Sequence, residues 1–210
     1  MALDLEEQEQ VAELKAWWKQ HGNLIVSAVL ACALAFAGWQ GWRWYQANQA
    51  AQAAGLYESL ARAAQAGDGK ALRDAAGSLI ESYPRTLYAA MGALVAARFH
   101  FDRNDLKAAK TQLLWVIERS PSEDFKDVAR LRLAAVLLDE KAHDEALKVL
   151  DEKHGPAYDA QFTALRGDVL VAKGQPAEAR TAYQAAIEKA AKEQGAFRES
   201  VRMRLEALGG

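Results

Sequence analysis

Apolar positions follow two patterns along this chain. From Leu24 to Trp39 no charged residue interrupts a run of apolar and small ones. Trp17 and Trp18 lie ahead of it, and Trp39, Trp42, Trp44 and Tyr45 close it. From Ala47 onward apolar residues recur at i, i+3 and i+4 among polar ones, alanine is abundant, and no period-two stretch stands out. The first pattern predicts a membrane-spanning helix and the second a set of amphipathic helices, so the expected fold class is all-α.

As a helix, residues 24–39 rise about 24 Å, and extension through Trp42 brings this to about 28 Å, close to the ~30 Å hydrocarbon core of a bilayer. Indole rings settle at headgroup depth, which explains aromatics at both ends of one span. Two other readings compete. A cleaved signal peptide would use Ala33-Leu34-Ala35 or Ala35-Phe36-Ala37 as its processing site. It is opposed by the long acidic start (Asp4, Glu6, Glu7, Glu9, Glu13) and by the tryptophans that cleavage would leave exposed. A buried soluble helix has no reason to collect aromatics at both ends. Lys15 and Lys19 precede the span, whereas Arg43 follows it with no further basic residue until Arg62. The bias predicts an N-terminus in the cytoplasm and the larger part outside, in the periplasm of a Gram-negative-type cell. The expected organisation is an acidic cytoplasmic segment over 1–23, a transmembrane helix over 24–44 and a periplasmic helical domain over 45–210. Cys32, the single cysteine, falls in the span, which suits an oxidising compartment for the rest.

Breaks at Gly67-Asp68-Gly69, Ser82-Tyr83-Pro84, Arg103-Asn104-Asp105, Ser120-Pro121-Ser122, Lys141-Ala142-His143-Asp144, Gly155-Pro156 and Lys173-Gly174-Gln175-Pro176 cut this domain into helices of about 12–18 residues. Superposing Asn104 to Ala109, His143 to Ala146 and Gly174 to Ala179 places register alanines at 109, 146 and 179, spaced 37 and 33. These spacings bracket the 34-residue tetratricopeptide period. Four residues after each mark stands a large side chain (Leu113, Leu150, Tyr183), and twelve before it a small one (Ala97, Ala134, Gly167). Small residues let paired helices approach, and large ones fill the space toward the next pair. The second of these pairs has a shortened second helix ending near Lys153. A fourth, degenerate pair is expected over Gln49 to Tyr83, and a helix from Phe197 to Leu208 is expected to cap the stack. The prediction is therefore a tetratricopeptide-like α-solenoid of about four helix pairs, with an unrelated helical bundle as the competing reading.

The order of these features resembles one family. Glu9 to Trp18, the span ending Gly38-Trp39-Gln40-Gly41-Trp42-Arg43, then Phe101 to Ala109, Leu131-Arg132-Leu133-Ala134 and Leu165-Arg166-Gly167-Asp168 with Lys173-Gly174 together look like the YfgM family, inner-membrane ancillary subunits of the SecYEG translocon. The resemblance covers essentially the whole chain. It implies a non-enzymatic membrane-anchored adaptor with two partners, SecYEG and the membrane-anchored periplasmic chaperone PpiD. Such an adaptor hands exported polypeptides from the translocon to periplasmic chaperones. It also implies a regulatory contact through the cytoplasmic tail, Met1 to Gly22, for instance with a response regulator. A membrane-anchored signalling regulator and an envelope-assembly scaffold stand as alternatives, because helical repeats are general binders.

Candidate chemistry is sparse. His21, His100, His143 and His154 are scattered, no HExxH, CxxC, GxSxG or phosphate-binding loop occurs, and no cofactor or metal is expected. Basic and acidic residues nearly balance at 26 and 28, and no basic stripe interleaves with aromatics, which argues against nucleic acid as a partner. Binding is the better expectation. If the register holds, tetratricopeptide geometry places Met91, Leu94, Arg98 and Phe101 on a concave surface. Val128, Leu131 and Leu138 come from the next pair, then Gln161, Ala164, Asp168 and Val171. Such a surface is more apolar than a solvated one and suits a partner, although the same side chains could equally be covered within the protein. On the groove reading, Leu94→Glu or Leu131→Glu weakens capture and leaves the melting temperature unchanged. Within the span, Ala33, Ala37 and Gly41 repeat at four-residue spacing and leave a smooth strip for another helix, a pattern that also arises by chance in an alanine-rich span.

Overall fold

The computed structural model describes residues 3–191 and 194–209. Met1, Ala2 and Gly210, which bound the expected cytoplasmic segment and repeat domain, lie outside the described residues, as do the side chains of Asp4, Glu6 and Glu7. Among the described residues all regular structure is helical. The chain divides into two compact units, residues 1–48 and 49–210.

Helix α1 (Leu3–Ala66) begins in the first unit and ends in the second. Its apolar stretch is long enough to cross a membrane, and only 6 % of the most apolar eighteen-residue window is buried. Leu24, Val29, Leu30, Leu34 and Phe36 are exposed around the helix, and so are Trp17, Trp18, Trp39, Trp42 and Trp44. Water disfavours so much contiguous apolar surface, whereas lipid is the solvent that suits it. Arg43 lies 4.9 Å over the Trp39 ring, and the Trp42 and Tyr45 rings are 6.1 Å apart, which forms an amphipathic band at one end of the run.

The second unit is a stack of antiparallel pairs. The end of α1 pairs with α2 (Gly69–Ser82), α3 (Leu87–Phe101) with α4 (Leu106–Arg119), α5 (Glu123–Asp139) with the short α6 (His143–Leu150), and α7 (Asp159–Ala172) with α8 (Pro176–Lys189). Helix α9 (Gly195–Ala207) packs on α8 as the cap, and Ala53, Leu60 and Ala63 at the end of α1 share one core with Leu72, Ala76 and Leu79 of α2. Four helices start at a side-chain cap: Asp68, Thr86, Asp105 and Ser122 accept from backbone amides of the first turns of α2 to α5. Pro156 opens a 3₁₀ turn (Pro156–Tyr158) that leads into α7, and Pro176 sits at the first position of α8.

The turns inside the four pairs share one geometry. Gly67, Asn104, Lys141 and Gly174 have φ of 72°, 60°, 62° and 80°, and they lie 37, 37 and 33 residues apart. The residue after each donates its amide five residues back, Asp68 to Ala63, Asp105 to His100, Ala142 to Leu137 and Gln175 to Leu170, at 2.8–2.9 Å. This is the Schellman ending, a left-handed residue that stops one helix and turns the chain into the next.

The size pattern read from the sequence is the packing pattern. Ala109, Ala146 and Ala179 are fully buried, as are the large Leu113, Leu150 and Tyr183 and the small Ala97, Ala134 and Gly167. A β-carbon on Gly167 would come within 2.6 Å of Tyr183 Cδ1, well inside contact distance. The first pair reverses the sizes: Leu60, Leu72 and Leu79 are the large core residues, and Gly92 on the facing α3 would place a β-carbon 2.6 Å from Leu79 Cδ1. Helix α6 is shorter than expected and stops at Leu150. The segment behind it is held by the buried carboxylate of Asp127, which accepts from Gly155 N at 2.8 Å and Arg130 Nη1 at 2.9 Å.

Candidate functional site

A cleft of about 400 Å³ opens within the repeat unit where the end of α1, α3 and α5 meet. Its apolar wall comes from Tyr57 and Ala64 on α1 and from Met91, Leu94, Val95 and Phe99 on α3. Met91, Leu94 and Arg98 share one face of α3 by their i, i+3, i+7 spacing. A second, apolar recess of about 160 Å³ adjoins it, lined by Ala97, Phe101, Leu113, Ala135 and Val136. Arg98 and Arg132 border both spaces.

Charge in the cleft is unbalanced, with three guanidinium groups facing the single carboxylate of Asp102. Arg98 spends its charge on Asp102, with Nε at 2.8 Å from Oδ1. Arg103 lies flat on the Phe99 ring, 3.4 Å from its centroid, and donates to the backbone carbonyls of Phe99 and Gly67. Arg132 donates to the carbonyl of Leu94 at 3.3 Å, and no carboxylate among the described residues pairs with it. Desolvation holds the Arg132 guanidinium below the usual arginine pKa, and the neighbouring charge of Arg98 pushes in the same direction. It stays cationic at any physiological pH.

The residues expected on the concave surface separate into three groups. Met91, Arg98 and Phe101 do line these spaces. Leu94, at 7 % exposure, touches the cleft but belongs to the core, and Ala164 is core as well. Val128, Leu131 and Leu138 are half-buried against the same core cluster. The expectation that Leu94→Glu leaves stability unchanged is therefore corrected, because the charge would enter the packed interior. On α7, Gln161 is half-buried and Val171 is exposed. Asp168 is engaged inside the fold, accepting from Tyr183 Oη at 2.8 Å and from Arg204 Nη1 at 2.7 Å, so it ties α7 to α8 and α9. Ala33, Ala37 and Gly41 are exposed along α1, and nothing lies within 4 Å of a β-carbon placed on Gly41.

Reading the sequence for apolar periodicity missed Tyr57, Arg103 and Arg132. The available signal was a cation directly between two apolar neighbours, Ala97-Arg98-Phe99 and Leu131-Arg132-Leu133, where a long side chain can lay its stem along a core edge. Among the described residues no cluster of three or more metal-ligating side chains occurs.

Three relatives show what the chain is similar to. An ancillary SecYEG translocon subunit of Neisseria gonorrhoeae is 29 % identical over 99 % of this chain and 100 % of its own length. Proteins of the same name from Haemophilus influenzae and Escherichia coli are each 29 % identical over 89 % and 86 % of this chain, and over 91 % and 87 % of their own. The resemblance drawn from the sequence blocks is borne out by these relatives. Residues 15–210 match the tetratricopeptide repeat-like domain family, and the chain belongs to that family.

Proposed function

We propose that this chain is a non-enzymatic, membrane-anchored adaptor of the SecYEG translocon, whose helical repeats hold exported polypeptides and link them to the chaperone PpiD. The observation that carries this reading is similarity along essentially the full length to ancillary SecYEG translocon subunits, with the apolar helix and the repeats both included. In this reading residues 24–44 cross the inner membrane with the N-terminus in the cytoplasm, and the repeat unit works in the periplasm. Lys15 and Lys19 ahead of the span support that orientation. The small-residue strip of Ala33, Ala37 and Gly41 supports helix packing against the translocon within the bilayer. The tail up to Gly22 supplies the regulatory contact.

Site-specific photocrosslinking in native membranes from Met91, Phe101 and Ala37 tests this reading. Adducts with translocon subunits from Ala37, and with exported polypeptides or PpiD from Met91 and Phe101, are the expected result. Adducts lacking both translocon subunits and periplasmic chaperones would sink it.

A further inference from the structure

We infer that the cleft between α1, α3 and α5 selects extended polypeptide segments in which an acidic side chain stands next to a large apolar one. This rests on the adaptor reading and names the chemistry of its client. The carboxylate of such a segment meets Arg132, and its apolar neighbour enters the recess behind Ala97 and Phe101.

Three observations carry it. The first is charge: three arginines line the cleft against one aspartate, and Arg132 has no carboxylate partner among the described residues. Arg132 is exposed at the mouth of the cleft beside the guanidinium of Arg98, so an incoming carboxylate finds free donors there for a bidentate pair. Partial desolvation and the nearby charge of Arg98 both hold the Arg132 pKa below the usual arginine value, and a carboxylate placed beside it would offset both. The second is shape. The recess of about 160 Å³ is close to the roughly 150 Å³ of an apolar cavity that takes a benzene ring, so one aromatic or branched aliphatic side chain matches it. The third is the wall itself: Met91 and Tyr57 offer an adaptable thioether and an amphipathic ring, which accept varied apolar neighbours without demanding one sequence. Asp102, also in the lining, disfavours a polyanion such as a lipid phosphate surface and suits a segment of mixed character.

The test uses the full chain in neutral detergent and three fluorescent peptides in which Leu and Phe alternate with Glu, Gln or Lys. Fluorescence anisotropy is expected to give the Glu peptide about tenfold tighter binding than the Gln peptide, and weaker still for Lys. The preference should shrink as salt rises from about 0.05 to 0.5 M. Arg132→Gln is expected to abolish the preference, Arg132→Lys to keep part of it, and Ala135→Phe to weaken all three peptides by filling the recess. Because Arg132 also bonds the Leu94 carbonyl, Arg98→Gln serves as the second variant. Its side chain is 70 % exposed, so the fold survives and the preference should still fall. Equal affinity for the Glu and Gln peptides would overturn the charge selection while leaving the adaptor reading intact. Capture of phosphatidylglycerol vesicles with no peptide binding would overturn the client class as well. Co-purification of SecYEG with the Arg132→Gln chain, measured in parallel, separates loss of client selection from loss of the adaptor role.

Discussion

The two units use the same apolar side chains in opposite ways. In residues 9–48, leucine, valine and tryptophan project outward around one helix. In residues 49–210, leucine and alanine turn inward, and the surface carries the charge. Neither arrangement follows from hydrophobicity alone. The first unit has an apolar all-round helix because its surroundings supply the apolar phase, and the second has stripes because it must make its own. A substitution should therefore be read against the phase its side chain meets, and Leu30 and Leu113 give the largest contrast. Leu113→Ala is expected to destabilise the repeat unit by about 2–5 kcal/mol in urea unfolding of the full chain in detergent. Leu30→Ala should leave that midpoint where it is. Leu30→Lys reverses the roles, lowering membrane insertion by about 3 kcal/mol in a glycosylation-reporter assay with the repeat midpoint unchanged. If Leu30→Ala shifted the urea midpoint as far as Leu113→Ala, the contrast between the units would be wrong.

Close helix approach is a need of the second unit, and Gly167 is where it is tightest. A methyl there meets the Tyr183 ring, so Gly167→Ala is expected to cost about 1–3 kcal/mol through overpacking. Trimming the partner should relieve it: Gly167→Ala with Tyr183→Leu should lose less than the two single losses added together. Additive losses would show that the two side chains do not share the space. At Gly41, where no atom lies within 4 Å of the added carbon, the same change should leave repeat stability unaltered.

That pair was legible in the sequence, because a small residue twelve before the register alanine and a large one four after it are a matter of size and spacing. The aromatic-bracketed span was legible for the same reason. The groove was less so. Helical periodicity marks the faces of α3 and α5 as apolar, but Leu94 belongs to a core and Met91 to a cleft, and only the position of the neighbouring helices separates them. Arg132 was read only as part of a sequence block, because where Arg130 and Arg132 alternate with leucines an arginine looks like solvated surface until the cleft around it is seen. Asp168 looked available because its two partners, Tyr183 and Arg204, lie fifteen and thirty-six residues away.

The Asp168 network sharpens the comparison through pH. Burial and the hydrogen bond to Asp168 both push the Tyr183 hydroxyl above its usual value of about 10. A group whose folded pKa is raised contributes stability that is complete below the unfolded value and is lost as pH climbs toward the folded one. Tyr183→Phe should therefore cost about 1 kcal/mol at neutral pH. The gap to the parent chain should close as the pH is taken above about 10. A gap that stayed constant to high pH would mean that the hydroxyl is not held neutral by the fold.

The smallest effect comes from the turns, and only the second unit has them. Lys141 carries the left-handed conformation that glycine holds in the equivalent turns at Gly67 and Gly174. A side chain there strains the backbone by about 1 kcal/mol, and glycine removes the strain while adding freedom to the unfolded chain. Lys141→Gly should then stabilise the repeat unit by about 0.5 kcal/mol. Gly174→Ala is the converse. No atom lies within 4 Å of the added methyl, so any loss comes from the backbone alone, and about 1 kcal/mol is expected. If the two changes shift the midpoint in opposite directions, the four turns are energetically one device, repeated where the chain must fold back on itself. If both lower it, Lys141 is held by its side chain rather than tolerated by its turn.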